Sequence, residues 1–225
     1  MIDGDTSGGV LSLPPALSTP DEQFEAVDRW NHEFKLGIPA RWFCALGSPP
    51  LLPASDHSYV VLEPALPAID GVPGHVRTAR ALWQIITTQH PRAMQHPYFD
   101  WAECSLPSKT TYEPGLRWRV LDLVGRWEQP YGSRPEELKV DFDRFAHIDA
   151  LAALAHHPGF VRRMDGEHVP GLWLAGFQIR HGGGAWHSPA IEFRRSVQEV
   201  CLNVRWASHR FSHLAIPLRR VEPQS

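Results

Sequence analysis

Cysteine is scarce in this sequence, and its few copies are widely separated. The 225 residues include three cysteines, Cys44, Cys104 and Cys201. An odd number of cysteines, none within metal-ligand spacing of another, argues against a disulfide-stabilised scaffold and against a cysteine-based metal site. Such cysteine usage is typical of a reducing compartment, and we expect a cytoplasmic protein.

Long apolar runs and a strong net charge are also missing. No stretch approaches the roughly 18 consecutive apolar residues that would indicate a membrane-spanning helix. Residues 1–9 have neither the basic nor the apolar region of a secretory signal. The formal net charge of −3 is too small to predict a nucleic-acid-binding protein. We therefore expect a soluble protein without a membrane partner, and nucleic-acid binding is the least favoured of three interpretations.

Apolar and aromatic residues are abundant enough to form a sizeable core. They make up 43% of the chain and include nine tryptophans, so a folded domain is expected rather than a disordered chain. Residues 1–18 are rich in Gly, Ser, Pro and Asp, and this composition predicts a flexible N-terminal arm. We expect residues 19–225 to form a single globular domain of the α+β class.

Three segments have apolar residues at helical spacing. Thr19-Pro20-Asp21-Glu22 is a capping-box sequence with proline at the first helical position, and it predicts the start of the first helix. The second helix is predicted from His75 to about His90. The third is predicted from about Phe142 to Ala155, before Pro158-Gly159. The sequence therefore predicts about three helices.

The last quarter of the chain alternates apolar and polar residues in four short runs. The runs are 175–180, 191–194, 200–207 and 214–219. A period of two places one set of side chains against a core and the other set outward. The expected fold is α+β, with a C-terminal four-stranded antiparallel meander packed with about three helices.

One face of the predicted meander carries arginines. If the strands pair in sequence order, four arginines share the outward face: Arg180, Arg194, Arg205 and Arg219. Residues 176–225 carry seven Arg against three Glu, whereas residues 1–150 carry 13 Lys and Arg against 20 Asp and Glu. This face would bind a protein or an anionic ligand, or it would pack against the acidic N-terminal part. A base-stacking surface is not expected, because Phe177, Phe193 and Trp206 alternate onto the core face.

A glycine-rich segment, His181-Gly-Gly-Gly-Ala-Trp-His187, precedes the second of these runs. Three glycines allow the backbone to approach a ligand closely, and His181 and His187 are candidate binding residues. The segment lacks the strand–glycine–helix order of a phosphate loop, and a hairpin connection is the alternative. The first interpretation is thus a binding or accessory domain with no cofactor, which acts through the C-terminal sheet and this loop.

The second interpretation is a metal-dependent enzyme. His147-Ile148-Asp149, followed by His209 and Arg219, resembles the His-X-Asp…His…Arg order of the Fe(II)/2-oxoglutarate dioxygenases. Two imidazoles and one carboxylate hold Fe(II) in such sites and leave positions open for 2-oxoglutarate and O₂. The resemblance implies that His147, Asp149 and His209 bind the metal. It also implies that Arg219 holds the distal carboxylate of 2-oxoglutarate and that the fold is a double-stranded β-helix.

Overall fold

The computed structural model describes residues 18–51, 58–107, 110–126, 134–135, 145–165, 169–180, 186–194, 196 and 199–220. Within these ranges the helices are α1 (Pro20–Glu33), α2 (Ala40–Ala45), α3 (Gly74–Gln89), α4 (Ile148–His156) and α5 (Pro158–Arg163). The strands are β1 (Ser58–Ala65), β2 (Met94–Gln95), β3 (Gly115–Arg126), β4 (Gly171–Trp173), β5 (Ile179–Arg180), β6 (Trp186–Arg194), β7 (Glu199–Trp206) and β8 (Leu214–Arg219). A short 3-10 helix covers Trp101–Glu103.

The start of α1 has the predicted capping box. The Thr19 hydroxyl accepts a hydrogen bond from the Glu22 N–H at 3.3 Å, and the Glu22 carboxylate accepts one from the Thr19 N–H at 2.6 Å. Pro20 occupies the first helical position, where its missing N–H has no cost. This local chemistry fixes where the first helix begins.

The strands form one mixed sheet in the order β1-β3-β8-β4-β6-β7-β2, with β5 also pairing with β6. The β4–β8 and β2–β7 pairs are parallel, and the other pairs are antiparallel. The α+β class is therefore as expected. The predicted four-stranded antiparallel meander with about three helices is wrong, because the described residues form eight strands in a mixed sheet and five α-helices.

The error lies mainly in the position of β8. Strands β5, β6 and β7 do follow one another as antiparallel neighbours, but β8 pairs with β3 and β4 instead of β7. A period of two shows which face a side chain occupies and does not show which strand lies alongside. Strand β4 can lie closely between β6 and β8 because residue 171 is a glycine. A Cβ at Gly171 would lie 2.5 Å from the Ile191 carbonyl oxygen and 2.8 Å from the Leu214 side chain.

Helix α4 is buried along its whole length, between α3 and β1. Its sequence, Ile148-Asp-Ala-Leu-Ala-Ala-Leu-Ala-His156, is apolar on nearly every side, as a central helix requires. Asp149 at its start and His156 at its end are the exceptions. Each is a polar group in the interior and needs a hydrogen-bonding partner there.

The outer edge of β1 is covered by side chains. Gln23 of α1 donates its Nε2 to the Val60 carbonyl at 2.9 Å and accepts the Leu62 N–H at 2.8 Å. His156 Nε2 lies 3.0 Å from the Leu62 carbonyl, which can only accept, so this nitrogen donates. These contacts replace a neighbouring strand, and β1 does not present an open edge there.

None of the helices in the described part of the chain combines the length and the apolar character that a membrane crossing requires. The predicted arm, residues 1–18, lies outside the described residues except for Ser18, whose hydroxyl donates to the His156 carbonyl at 3.0 Å. All three cysteines are free thiols, and Cys104 and Cys201 are buried.

Candidate functional site

His147 and Asp149, two of the predicted metal ligands, converge with Arg219 in the interior. Asp149 is 0% exposed, and its Oδ2 accepts a hydrogen bond from Arg219 Nε at 2.5 Å. The terminal Nη2 of Arg219 lies 3.3 Å from Asp149 Oδ1 and 2.7 Å from His147 Nε2. Three of the residues singled out from the sequence therefore form one contact group.

The local structure of the α4 start explains this arrangement. His147 is the N-cap residue, and its ring Nδ1 accepts the Ile148 N–H at 2.6 Å. Asp149 Oδ1 accepts the N–H groups of His147 at 2.8 Å and Ala150 at 3.2 Å, at the helix end where a negative charge is favoured. Gly176 allows the close packing, because a Cβ there would lie 2.8 Å from His147 Cδ2.

Glu63 of β1 joins the same group, which the sequence did not indicate. Its carboxylate is buried, accepts a hydrogen bond from Arg119 Nε at 3.2 Å and lies 3.7 Å from Arg117 Nε. The β1–β3 register pairs Glu63 with Arg117, so both arginines of β3 lie on the same face as Glu63. The alternation Arg117-Trp118-Arg119 is the one sequence signal that points to this contact.

The carboxyl groups of Asp149 and Glu63 have pKa values shifted in opposite directions. Burial would raise the pKa of Asp149, but the charge of Arg219, the contact with His147 and the hydrogen bonds hold it below its usual range. Burial, with the charge of Asp149 in addition, raises the pKa of Glu63 despite the three nearby arginines. Burial and Arg219 hold the pKa of His147 well below its usual range, so this imidazole is neutral.

This buried charge cluster, formed by Glu63, Arg117, Arg119, His147, Asp149 and Arg219, connects α4 to β1, β3 and β8. Arginine side chains bind both of its carboxylates, and backbone N–H groups also bind Asp149. Buried charges persist in proteins when they are paired in this way. The cluster is therefore explained by its structural role as the fixed start of α4.

The residues do not fit the Fe(II) centre of the dioxygenases. His209 and His147 have different aromatic neighbours. The ring centre of His209 lies 6.2 Å from that of Trp206 and 6.3 Å from that of Phe211, whereas the ring centre of His147 lies 5.5 Å from that of Phe177. Among the residues that the structure describes, no three His, Cys, Asp or Glu side chains form a group that could hold a metal ion. Arg219, the expected partner of 2-oxoglutarate, is already bound to Asp149.

The sheet register separates the four arginines of the predicted binding face. Pairing from β8 through β4 to β6 and β7 places Arg219 on one face and the other three on the opposite face. Arg180 and Arg194 are exposed, whereas Arg205 is partly buried. Ser188, Ala190 and Glu192 on that opposite face are fully buried, so the middle of the β6–β7 hairpin is covered there.

Arg205 is held in place by a buried carboxylate. Glu192 accepts hydrogen bonds from Arg205 Nε at 3.1 Å and from Asn203 at 2.9 Å, and it lies 3.1 Å from His213 Nε2. Burial would raise the pKa of Glu192, but these hydrogen bonds and the charge of Arg205 lower it to about 2. The guanidinium of Arg205 also lies 5.0 Å above the Phe211 ring, so its position is fixed from two sides.

The predicted glycine-rich loop is described only at its end. His181 and residues 182–185 lie outside the described residues. His187 is buried in β6, opposite Trp206 of β7, and the two ring centres are 3.7 Å apart. The sequence interpretation of this loop as a ligand-binding element stays a prediction.

A pocket of about 380 Å³ lies between the end of α3, α5 and the end of the β6–β7 hairpin where β6 finishes and β7 begins. Much of its wall is apolar and consists of Pro91, Ala93, Val161, Met164, Phe193 and Val200. Its charged lining residues are Arg92, Arg162 and Glu199. No sequence pattern indicated this pocket, because its walls come from three segments that are far apart in the chain.

Two buried polar atoms in the pocket lining have no hydrogen-bond partner within the described part of the chain, Gln89 Oε1 and His90 Nε2. The Gln89 amide is oriented by its other end, since Nε2 donates to the Ala155 carbonyl at 3.1 Å. Burial and the charge of Arg162 lower the pKa of His90, so its ring is neutral at pH 7.

Family models, curated proteins and solved structures were compared with the chain, and none matches it.

Proposed function

We propose that the protein is a ligand-binding module whose pocket, between the C-terminal sheet and helices α3 and α5, binds a small anionic molecule with an apolar body. One observation carries the proposal: one cavity is lined by apolar walls, by two arginines and by Gln89 and His90, each of which has a buried polar atom without a partner among the described residues. Small-molecule sites are concave and mostly apolar, with few polar groups and volumes of roughly 300–1,000 Å³. The pocket has this character.

The charge of the pocket favours an anion. Arg92 and Arg162 lie in its lining, and the positive charge of Arg162 acts on the neighbouring ring of His90. Glu199 is the opposing charge, but it faces Arg194 across the β6–β7 hairpin, where a pair of opposite charges is favourable. A carboxylate at this end of the pocket would form charge-assisted hydrogen bonds with the guanidinium groups.

The buried polar atoms narrow the ligand class further. Gln89 Oε1 can only accept a hydrogen bond, and an unsatisfied buried acceptor costs about 1–3 kcal/mol. A ligand that carries an amide N–H or a hydroxyl near its carboxylate would satisfy this atom. The class that matches the pocket is therefore an apolar acid with a neighbouring hydrogen-bond donor, such as an N-acyl amino acid.

The test is a calorimetric titration with N-acetyl-L-phenylalanine and with its carboxamide, which differs from it in charge. We expect the acid to bind more tightly than the carboxamide. Arg162→Gln should weaken binding of the acid about tenfold or more, because a hydrogen bond to a charged group contributes about 1.5–3 kcal/mol. The matched control is Arg163→Gln, since Arg163 is the exposed next residue of α5 and does not line the pocket.

Two results would contradict the proposal. One is equal affinity for the acid and the carboxamide, because the arginines would then contribute nothing to binding of the carboxylate. The other is equal affinity of the Arg162→Gln and Arg163→Gln proteins for the acid. A Val200→Trp variant, which would fill the cavity with an apolar side chain, should abolish binding of both compounds.

A further inference from the structure

The segment between α3 and the 3-10 helix, residues 91–98, forms one wall of the pocket, and we name it the strap. Pro91, Arg92 and Ala93 line the cavity, and the next two residues form β2 at the edge of the sheet. None of the residues 91–98 is buried, whereas Phe99, which follows them, is 4% exposed. We propose that the strap detaches from the sheet as a unit and that a ligand in the pocket holds it in place. The inference rests on the proposed function, since it concerns the regulation of that pocket.

The strap meets the sheet directly beside the cavity. Met94 of β2 pairs with Cys201 of β7 in parallel register. The residues just before this pair, Ala93 and Val200, both line the pocket. Detachment of β2 from β7 would therefore carry Ala93 away from Val200 and open the cavity on this side.

Few contacts hold the strap on the sheet. Within the described part of the chain, its backbone is joined to β7 by the two-residue pairing of β2 and by the His96 N–H, which donates to the Leu202 carbonyl at 2.9 Å. Its other backbone hydrogen bonds are local, such as those from Ala93 N–H to the His90 carbonyl at 2.8 Å and from Phe99 N–H to the His96 carbonyl at 2.9 Å. Segments with exposed hydrogen bonds and little buried apolar area open at much lower cost than the whole protein unfolds, and ligand-binding loops are drawn from them.

A ligand favours the attached strap because only that state has the complete pocket. Arg92 of the strap and Arg162 of α5 both belong to the lining, so a carboxylate bound by both arginines would join the strap to α5. A ligand shifts an equilibrium by its difference in affinity for the two states. Binding to the attached state alone lowers the population of the detached state by the factor 1 + [L]/Kd, where L is the free ligand.

The experiment is native-state amide hydrogen exchange followed by NMR. In the free protein we expect the His96 amide to be at least about tenfold less protected than the Leu174 amide, because Leu174 is fully buried and its N–H donates to the Pro189 carbonyl at 2.8 Å. N-acetyl-L-phenylalanine at about ten times its calorimetric Kd should raise the protection of His96 about tenfold. The matched control is Trp42, whose N–H donates to the Pro39 carbonyl in α2, a helix without buried residues, and its protection should not change.

A Met94→Cys variant tests the strap without any ligand. Directly paired strand residues lie roughly 5 Å apart, within the Cα separation of a disulfide, and Cys201 is a buried free thiol. Oxidation should join the strap to β7 and raise the protection of the His96 amide at least about tenfold, and a reductant should reverse this rise. Met94→Ser, treated with the same oxidant, is the control. Both variants carry Cys44→Ser, because the exposed Cys44 thiol would otherwise join two molecules.

Each outcome separates the strap from the pocket. Equal protection of the His96 and Leu174 amides in the free protein would overturn detachment of the strap. Calorimetric binding of N-acetyl-L-phenylalanine without a rise in His96 protection would overturn the coupling and leave the proposed pocket intact. Absence of calorimetric binding would overturn the proposed function and the coupling with it, whereas the comparison of His96 with Leu174 would still decide whether the strap detaches.

Discussion

Replacement of Arg219 with Met is expected to lower the free energy of unfolding by about 3–5 kcal/mol, which is the usual cost of leaving one member of a buried ion pair alone. Asp149 is fully buried, and the Arg219 side chain is 15% exposed. Without the guanidinium, the Asp149 carboxylate would keep only its two backbone N–H partners. Urea denaturation at neutral pH, followed by circular dichroism, measures the change.

The adjacent Arg220 provides the control. It pairs with Asp122 at 3.7 Å in a more exposed position, and Arg220→Met should cost no more than about 1 kcal/mol. Asp149→Asn combined with Arg219→Met should recover part of the loss, because the double variant removes the unpaired buried charge. If Arg219→Met is no more destabilising than Arg220→Met, the buried charge cluster does not hold α4 in the way described.

Acidification is expected to destabilise the protein from about pH 6.5 downward, before most carboxylates titrate. Burial lowers the pKa of His156 from its usual 6.5 to about 3 and that of His157 to about 4. Below pH 6.5 the unfolded chain binds protons that the folded protein does not, so the stability present above that pH is lost as the pH falls. Each of the two histidines should contribute about 1.4 kcal/mol per pH unit within its own window.

His156→Gln isolates one of these contributions. Glutamine retains a donor for the Leu62 carbonyl and cannot take up a proton, so the dependence of unfolding free energy on pH should become shallower by about 1.4 kcal/mol per unit between about pH 6.5 and pH 4. His32→Gln, at a side chain that is 78% exposed, is the control and should leave the slope unchanged. Equal slopes for His156→Gln and the wild type would show that this buried imidazole does not govern the acid response.

Local features of the fold could be predicted from the sequence, and strand neighbours could not. The capping box at Thr19 identifies the start of α1 because its donors and acceptors lie within four consecutive residues. The alternation in 200–207 identifies β7 because this pattern, too, is formed by residues that are neighbours in the chain. The parallel pairing of β4 with β8 depends on Gly171, Leu214 and Ala215, which are distant in the chain and show no joint pattern.

In the candidate sites, too, residue types and spacings could be predicted from the sequence, whereas contacts between distant residues could not. His147, Asp149 and Arg219 could be singled out by residue type and spacing, and the structure brings them together. The contacts of Glu63 with Arg117 and Arg119 depend on the β1–β3 register, and the sequence gives no indication that a glutamate at this position is buried. The pocket depends on the packing of α3 and α5 against the end of β6–β7, for which no local signal exists.

The end of a strand is a further limit of pattern reasoning. Trp206 obeys the period of two, since it pairs with His187 across the hairpin. It is nevertheless 41% exposed, at the last residue of the strand. Periodicity gives the direction of a side chain but not the extent of the layer above it.

An amide NMR titration with N-acetyl-L-phenylalanine tests the proposed pocket most directly. Ala93, Val161 and Val200 belong to three distant segments that meet only in the pocket lining. The proposal predicts that the signals of all three shift together, along one saturable curve, and that the Arg162→Gln variant needs about tenfold more ligand for the same shifts. Saturable shifts elsewhere in the protein with no change at these three residues, or no shifts at all, would contradict it.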